Sequence, residues 1–219
     1  MDPETPDRQT LDAAFKLHGL CVLGGLHPET GPHKTIFLIG PDKHRFWQVF
    51  QNSPEYLDGN INPIDRWSTR VIGDLAQKFA ADPIFPFGGP PYHPFIGWAL
   101  ASGQCFQSPV QILVHSNAGL FVSYRGALGF TERLDLPAST QSPCHTCVKK
   151  PCLAACPPAA LIKGNYDVAA CHVFLDTDNG APCLTRGCAV RRACPVGQSD
   201  RPEAQSAFHM SYFHRKAPE

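Results

Sequence analysis

An α+β chain with a mainly antiparallel sheet in its N-terminal part, followed by a cysteine-rich module, is the architecture that three observations predict. Two short apolar runs, Leu20–Leu26 and Thr35–Ile39, are separated by a Pro/Gly/His loop, as neighbouring strands are. Residues 62–81 repeat apolar positions at the spacing of a helix face. Eight of the ten cysteines fall between Cys144 and Cys194. At 219 residues the chain is long enough for one or two domains.

In chain order, residues 6–18 read as a helix with Leu11, Ala14, Phe15 and Leu17 on or near one face, stopped by Gly19. The two strands follow, then a short helix over Lys43–Gln51. Asn62-Pro63 supplies an N-cap residue and a proline at the first helical position. Beyond it, Ile64, Trp67, Val71, Leu75 and Phe79 line one face of a helix ending near Ala81. Residues 82–94, with five prolines and two glycines, are expected to be irregular. A short helix is expected over Phe95–Ser102. A hairpin of Gln111–His115 and Leu120–Tyr124 is expected across Ser-Asn-Ala-Gly. Residues 136–143, LPASTQSP, read as a linker and divide the chain into 1–137 and 138–219.

Composition narrows the function. Nineteen Lys and Arg balance nineteen Asp and Glu, which argues against a general nucleic-acid binder. No GxGxxG or P-loop precedes a helix. The opening MDPETPDRQT has neither the basic start nor the apolar core of a secretory signal. No run approaches the ~18 apolar residues of a membrane span. The expectation is a soluble, cytoplasmic protein. In such a reducing compartment clustered cysteines point to metal binding or catalysis rather than to disulfides.

The first block reads Cys144-His-Thr-Cys147-Val-Lys-Lys-Pro-Cys152-Leu-Ala-Ala-Cys156-Pro157, spaced C-x2-C-x4-C-x3-C-P. It resembles the bacterial ferredoxin run C-x2-C-x2-C-x3-C-P, with a longer second gap. Three thiolates from one tight loop suit one iron–sulfur cube, and a fourth on the next turn suits a second. The other block, Cys171, Cys183, Cys188 and Cys194-Pro195, is less regular. Swapped pairing suggests Cys144, Cys147, Cys152 and Cys194 for one [4Fe–4S] cluster. Cys156, Cys171, Cys183 and Cys188 then remain for the other. The alternative is zinc, which also takes four thiolates, although only one CxxC unit is present. Cys21 and Cys105 stand apart in apolar surroundings and read as structural thiols. His145, inside the first loop, reads as solvent-facing.

A cysteine module placed after an α+β domain resembles epoxyqueuosine reductase and the reductive dehalogenases. The likeness rests on the first block through Leu161 and on Gly187-Cys188…Cys194-Pro195. The chain is shorter than those enzymes, and its second block departs from their pattern. The resemblance implies a ferredoxin-like dicluster module that feeds electrons to a cofactor in the N-terminal domain, cobalamin in those families. His93-Pro94-Phe95-Ile96-Gly97-Trp98 is similar to a segment of the cobalamin-processing protein of the same superfamily. It nominates His93 and Trp98 as contacts for cobalamin or flavin, with the aromatic run 85–92 as a wall.

The leading expectation is an iron–sulfur electron-transfer protein with two [4Fe–4S] clusters and a redox partner protein. A corrinoid- or flavin-dependent reductase and a zinc-stabilised binding module are the alternatives. Lys149, Lys150, Lys163, Arg186, Arg191 and Arg192 outnumber Asp167, Asp176 and Asp178 across the cysteine region, a balance that favours an acidic partner. Among the other polar residues, Arg66, Arg70, Arg125 and Arg133 are candidate anion contacts, and His115 and Tyr124 candidate proton donors.

Overall fold

The structure is a computed structural model that describes residues 7–162, 164–197 and 201–214. Its elements in chain order begin with α1 (Arg8–Leu17), β1 (Leu20–Leu26), β2 (Thr35–Pro41), α2 (Phe46–Gln51), α3 (Pro54–Leu57) and α4 (Pro63–Lys78). Then come β3 (Asp82–Ile84), α5 (Phe95–Ala101), β4 (Cys105–Gln107), β5 (Leu113–His115) and β6 (Gly126–Phe130). The cysteine region adds α6 (Pro143–Thr146), β7 (Leu161–Ile162), β8 (Asn165–Tyr166), α7 (Val168–Leu175), α8 (Ala181–Arg186), α9 (Ala189–Ala193) and α10 (Glu203–Phe213). The fold is mixed α+β with a mainly antiparallel sheet.

The chain divides into two units. One takes the residues up to Cys105 together with Ser123–Thr140; the other takes Phe106–Val122 and the residues from Gln141 onward. The chain therefore enters the second unit twice. The linker read at 136–143 spans the later crossing, and the earlier excursion over Phe106–Val122 has no counterpart in the sequence pattern.

In the first unit the sheet runs β1–β2–β6–β3, every pair antiparallel. β6 is buried along its whole length and β2 along nearly all of it. Such near-continuous burial requires cover on both faces. α1 and α5 pack on β1, and α4 packs on β3 and β6. Beside α4, Phe46 and Phe50 stack with ring centres 5.6 Å apart, and both meet Trp67 edge-on at 5.5 and 5.7 Å. All three rings are buried.

Several expectations need correction. Residues 82–94 are not wholly irregular, because Asp82–Ile84 pairs with β6 as the edge strand β3. An edge position tolerates Pro83, whose missing N–H is not required on the open side. β6 carries no alternating pattern, since both its faces are buried, and its period is invisible for that reason. The hairpin expected over residues 111–124 closes with a single bridge, His115 to Gly119. Leu120–Tyr124 then carries the chain back toward the first unit, and β5 pairs with β4 instead. Asn62 does precede α4, but its backbone is left-handed and its side chain makes no capping hydrogen bond. No described helix is long and apolar enough to cross a membrane.

Candidate metal centre

In the second unit, Cys144 lies in α6, behind the N-cap Ser142, whose Oγ accepts the Cys144 amide at 3.3 Å. Cys147 ends that turn, Cys152 sits in a 3-10 turn over Pro151–Ala154, and Cys194 caps α9. These four cysteines line one pocket with Pro143, Lys150 and Pro195; its free space, open mouth included, is about 360 Å³. Val110, Val114, Leu120, Leu161 and Val190 form the buried bed beneath the thiols. Burial raises the Cys144 thiol, a hydrogen bond with Ser142 opposes that shift, and Cys194 and Cys147 raise it further. Cys152 is raised by burial and then by Cys144, Cys194 and Cys147.

The remaining four thiols form a second group. Cys156 closes the first block, Cys171 lies in α7, Cys183 in α8, and Cys188 caps α9. Burial raises Cys171; a hydrogen bond from the Tyr166 hydroxyl lowers it, and Cys188, Cys156 and Cys183 raise it again. The Leu161 amide donates to Cys156 Sγ at 3.3 Å. Arg191 lies near Cys188 and Tyr166, and burial pulls its guanidinium below the usual value. Its Nη1 donates to the Leu120 carbonyl. From α10, Met210 and Phe213 pack over Cys171 and Cys183. The Phe213 ring also meets His172 at 4.8 Å and stacks near Tyr166 at 6.4 Å.

Cys144, Cys147, Cys152 and Cys194 thus share a pocket, Cys156, Cys183 and Cys188 lie near enough to Cys171 to influence it, and Cys156 and Cys188 also pack against the apolar bed of the first four. All ten cysteines are free thiols. Among the described residues, no three His, Cys, Asp or Glu side chains converge closely enough to hold a single metal ion. The thiols of the first group line the wall of a pocket instead of meeting at a point.

A turn between β5 and the chain's return supports the first group. His115 is buried, and its Nδ1 accepts the amides of Asn117 and Ala118 at 3.0 and 3.2 Å. That accepting role makes His115 a brace for the turn. Gly119 follows at φ +57°, where a Cβ would collide with the Val196 carbonyl and sit 3.3 Å from Cys194 Sγ. Only glycine lets the turn approach the Cys194-Pro195-Val196 backbone this closely.

In the first unit, His93 and Trp98 stack with ring centres 5.8 Å apart and 29° between planes. Both line a groove with residues 27–33, Pro94 and Leu136. His93 is exposed and Trp98 half-buried. The aromatic run before them does not line that groove; Phe85 and Phe87 stack on each other at 5.2 Å. Cys21 donates to the Pro41 carbonyl at 3.5 Å, and burial pushes its thiol up to about 12. Cys105 is fully buried beside Tyr124, whose phenol burial raises out of any acid–base role near neutral pH. Three of the arginines considered as anion contacts hold carboxylates of their own unit: Arg66 binds Asp58, Arg70 binds Glu55, and Arg125 lies 3.6 Å from Asp65.

Sequence reading singled out neither Gly119 nor Tyr166, and it weighed Arg191 only as one charge among several. The turn residues Asn117-Ala118-Gly119 were a signal for the first; nothing in the sequence marks the other two. Compared with known proteins, the chain matches no family model, no curated protein and no solved structure.

Proposed function

We propose that this is an iron–sulfur electron-transfer protein that holds two [4Fe–4S] clusters and serves an oxidoreductase system. The observation that supports the reading is that Cys144, Cys147, Cys152 and Cys194 line one pocket, while Cys156, Cys183 and Cys188 lie near enough to Cys171 to raise its thiol. Cys144, Cys147, Cys152 and Cys194 would hold one cluster, and Cys156, Cys171, Cys183 and Cys188 the other. When bound, such clusters supply reversible one-electron transfer.

The chain's own residues prepare the sites for that role. Ser142 and Tyr166 hydrogen-bond to Cys144 and Cys171 and favour their thiolate forms. The Leu161 amide donates a hydrogen bond to Cys156 Sγ. Arg191 places a cation beside the second group, where four thiolates concentrate negative charge. Apolar packing from Val114, Leu120, Val190, Met210 and Phe213 limits water around both groups. Free thiols fit a reducing compartment, and the cytoplasm is the proposed location.

Iron and acid-labile sulfide in anaerobically purified protein test the reading, at about eight of each per chain. A broad brown absorption band should accompany them. Stoichiometric zinc with little iron overturns the proposal and favours the zinc-stabilised module.

The stacked His93–Trp98 pair on a groove wall favours a second reading, a reductase with a corrinoid or flavin in the first unit. Titration of the cluster-loaded protein with cobalamin and with flavin, beside His93→Ala, decides it. Binding weakened by His93→Ala supports the reductase. Absence of binding to the unsubstituted protein leaves the electron carrier alone.

A further inference from the structure

The loop that carries the first cysteine block presents an apolar and basic surface to solvent. Val148 is 92% exposed, more than any other large hydrophobic side chain among the described residues, and Leu153 is 38% exposed. Lys149 and Lys150 between them are exposed too. Neither lysine has an ion-pair partner among the described residues. From Leu136 to Tyr166 the sequence contains no Asp or Glu, so nothing acidic in this stretch offsets the lysines. Lys150 also lines the pocket of Cys144, Cys147, Cys152 and Cys194, which puts its charge at that pocket's mouth.

The second thiol group is different. Asp167 precedes α7 and Asp176 and Asp178 follow it, all exposed, and α10 packs over Cys171 and Cys183. Exposed carboxylates therefore flank α7, which carries Cys171, whereas none lies in the stretch that carries the first cysteine block. An exposed apolar side chain flanked by like charges is what a transient docking face requires. Charge steers the approach, and a small apolar centre excludes water between the surfaces.

We propose that the Val148–Leu153 rim is where electrons are exchanged with an acidic redox protein, resting on the iron–sulfur reading above. The partner would set carboxylates against Lys149 and Lys150 and an apolar centre against Val148 and Leu153. A cluster held by Cys144, Cys147, Cys152 and Cys194 would give up one electron at this rim and be oxidised by one. The one-electron acceptor is reduced by one, with no bond formed or broken.

The test uses the full-length, cluster-loaded protein, reduced with dithionite and then freed of excess reductant. Reoxidation is followed with three probes: an acidic flavodoxin, ferricyanide as a small anion, and hexaamminecobalt(III) as a small cation. In Lys149→Glu/Lys150→Glu, oxidation by flavodoxin at low salt should slow about tenfold or more, and ferricyanide should slow likewise. The cobalt cation should react faster, and all differences should shrink at about 1 M salt. Val148→Ser should slow flavodoxin a few-fold and leave both small ions unchanged. Full iron content with unchanged rates in both variants overturns the docking face and leaves the cluster reading standing. Slowing of ferricyanide without slowing of flavodoxin likewise overturns a protein-docking role. Protein that never takes up iron overturns the cluster reading, and this proposal with it.

Discussion

Single side chains set the character of each thiol. Cys21 and Cys105 sit in the first unit, one bound to a strand carbonyl and the other fully buried. Changing either to serine should leave iron content unaltered, whereas Cys147→Ser should lose most of one cluster; elemental analysis of the three variants separates the roles. Equal losses in all three would refute the assignment. Because burial holds Cys21 near 12, its thiol stays protonated at pH 8, and native protein should alkylate there far more slowly than unfolded protein. Gly119 is a sharper case. A methyl group at this position meets the Val196 carbonyl at a left-handed φ. Gly119→Ala should cost about 1–3 kcal/mol in urea unfolding, and reduce occupancy of the first thiol group before the second. Arg191→Met removes a cation near Cys188 and should lower the potential of the proposed second cluster, measured by redox titration, with the first unchanged.

Among the elements, α4 packs on β3 and β6 of the first unit. Its buried face presents Trp67 to Phe46 and Phe50, so Trp67→Ala should cost about 3–5 kcal/mol. Outside that face, Arg70 reaches back to Glu55 of α3 and holds its carboxyl below the ordinary range. A lowered carboxyl contributes stability above its unfolded value, about 4.3, and loses it as pH falls through the folded value. The urea midpoint of the parent should therefore drop more steeply below pH 4 than that of Arg70→Met. A parallel decline in both proteins would show that the pair carries no pH-dependent stability. Elements of the second unit are short, and several carry a cysteine at a cap or turn: Cys147 after α6, Cys188 and Cys194 at the two ends of α9. On the proposed iron–sulfur reading, ligation would supply order that hydrogen-bond ladders do not.

For the whole molecule, this unequal construction has a thermal consequence. The first unit has a four-stranded sheet and a large apolar core. In the second, Cys152, Cys183 and Cys194 are themselves among the buried residues. Anything bound to the folded thiols and not to the unfolded chain stabilises that unit through linkage. Calorimetry should show two transitions in cluster-loaded protein. Oxidative removal of iron should lower the transition of the second unit and leave that of the first in place. A single transition unaffected by iron would refute this division of stability.

Much of this was legible in the residues. The helix over Trp67, Val71 and Leu75 declares itself by spacing, and the strands Leu20–Leu26 and Thr35–Pro41 by apolar runs bounded by turn residues. The cysteine spacing marked eight thiols, and the swapped ferredoxin-like pattern suggested a division into two sets. Other features depend on contacts distant in sequence. β6 shows no alternation because both faces are buried, and β3 is a strand only because an edge position excuses Pro83. Phe106–Val122 joins the second unit through Gly119, whose missing side chain lets it lie against Val196. His93 and Trp98 were chosen from one short segment, yet their groove is completed by residues 27–33 and Leu136. The sequence by itself determined the types and local spacing of the groups, since periodicity and loop length act over a few residues. Tertiary structure alone decided which distant backbones approach, because that depends on burial and steric fit summed over the folded chain.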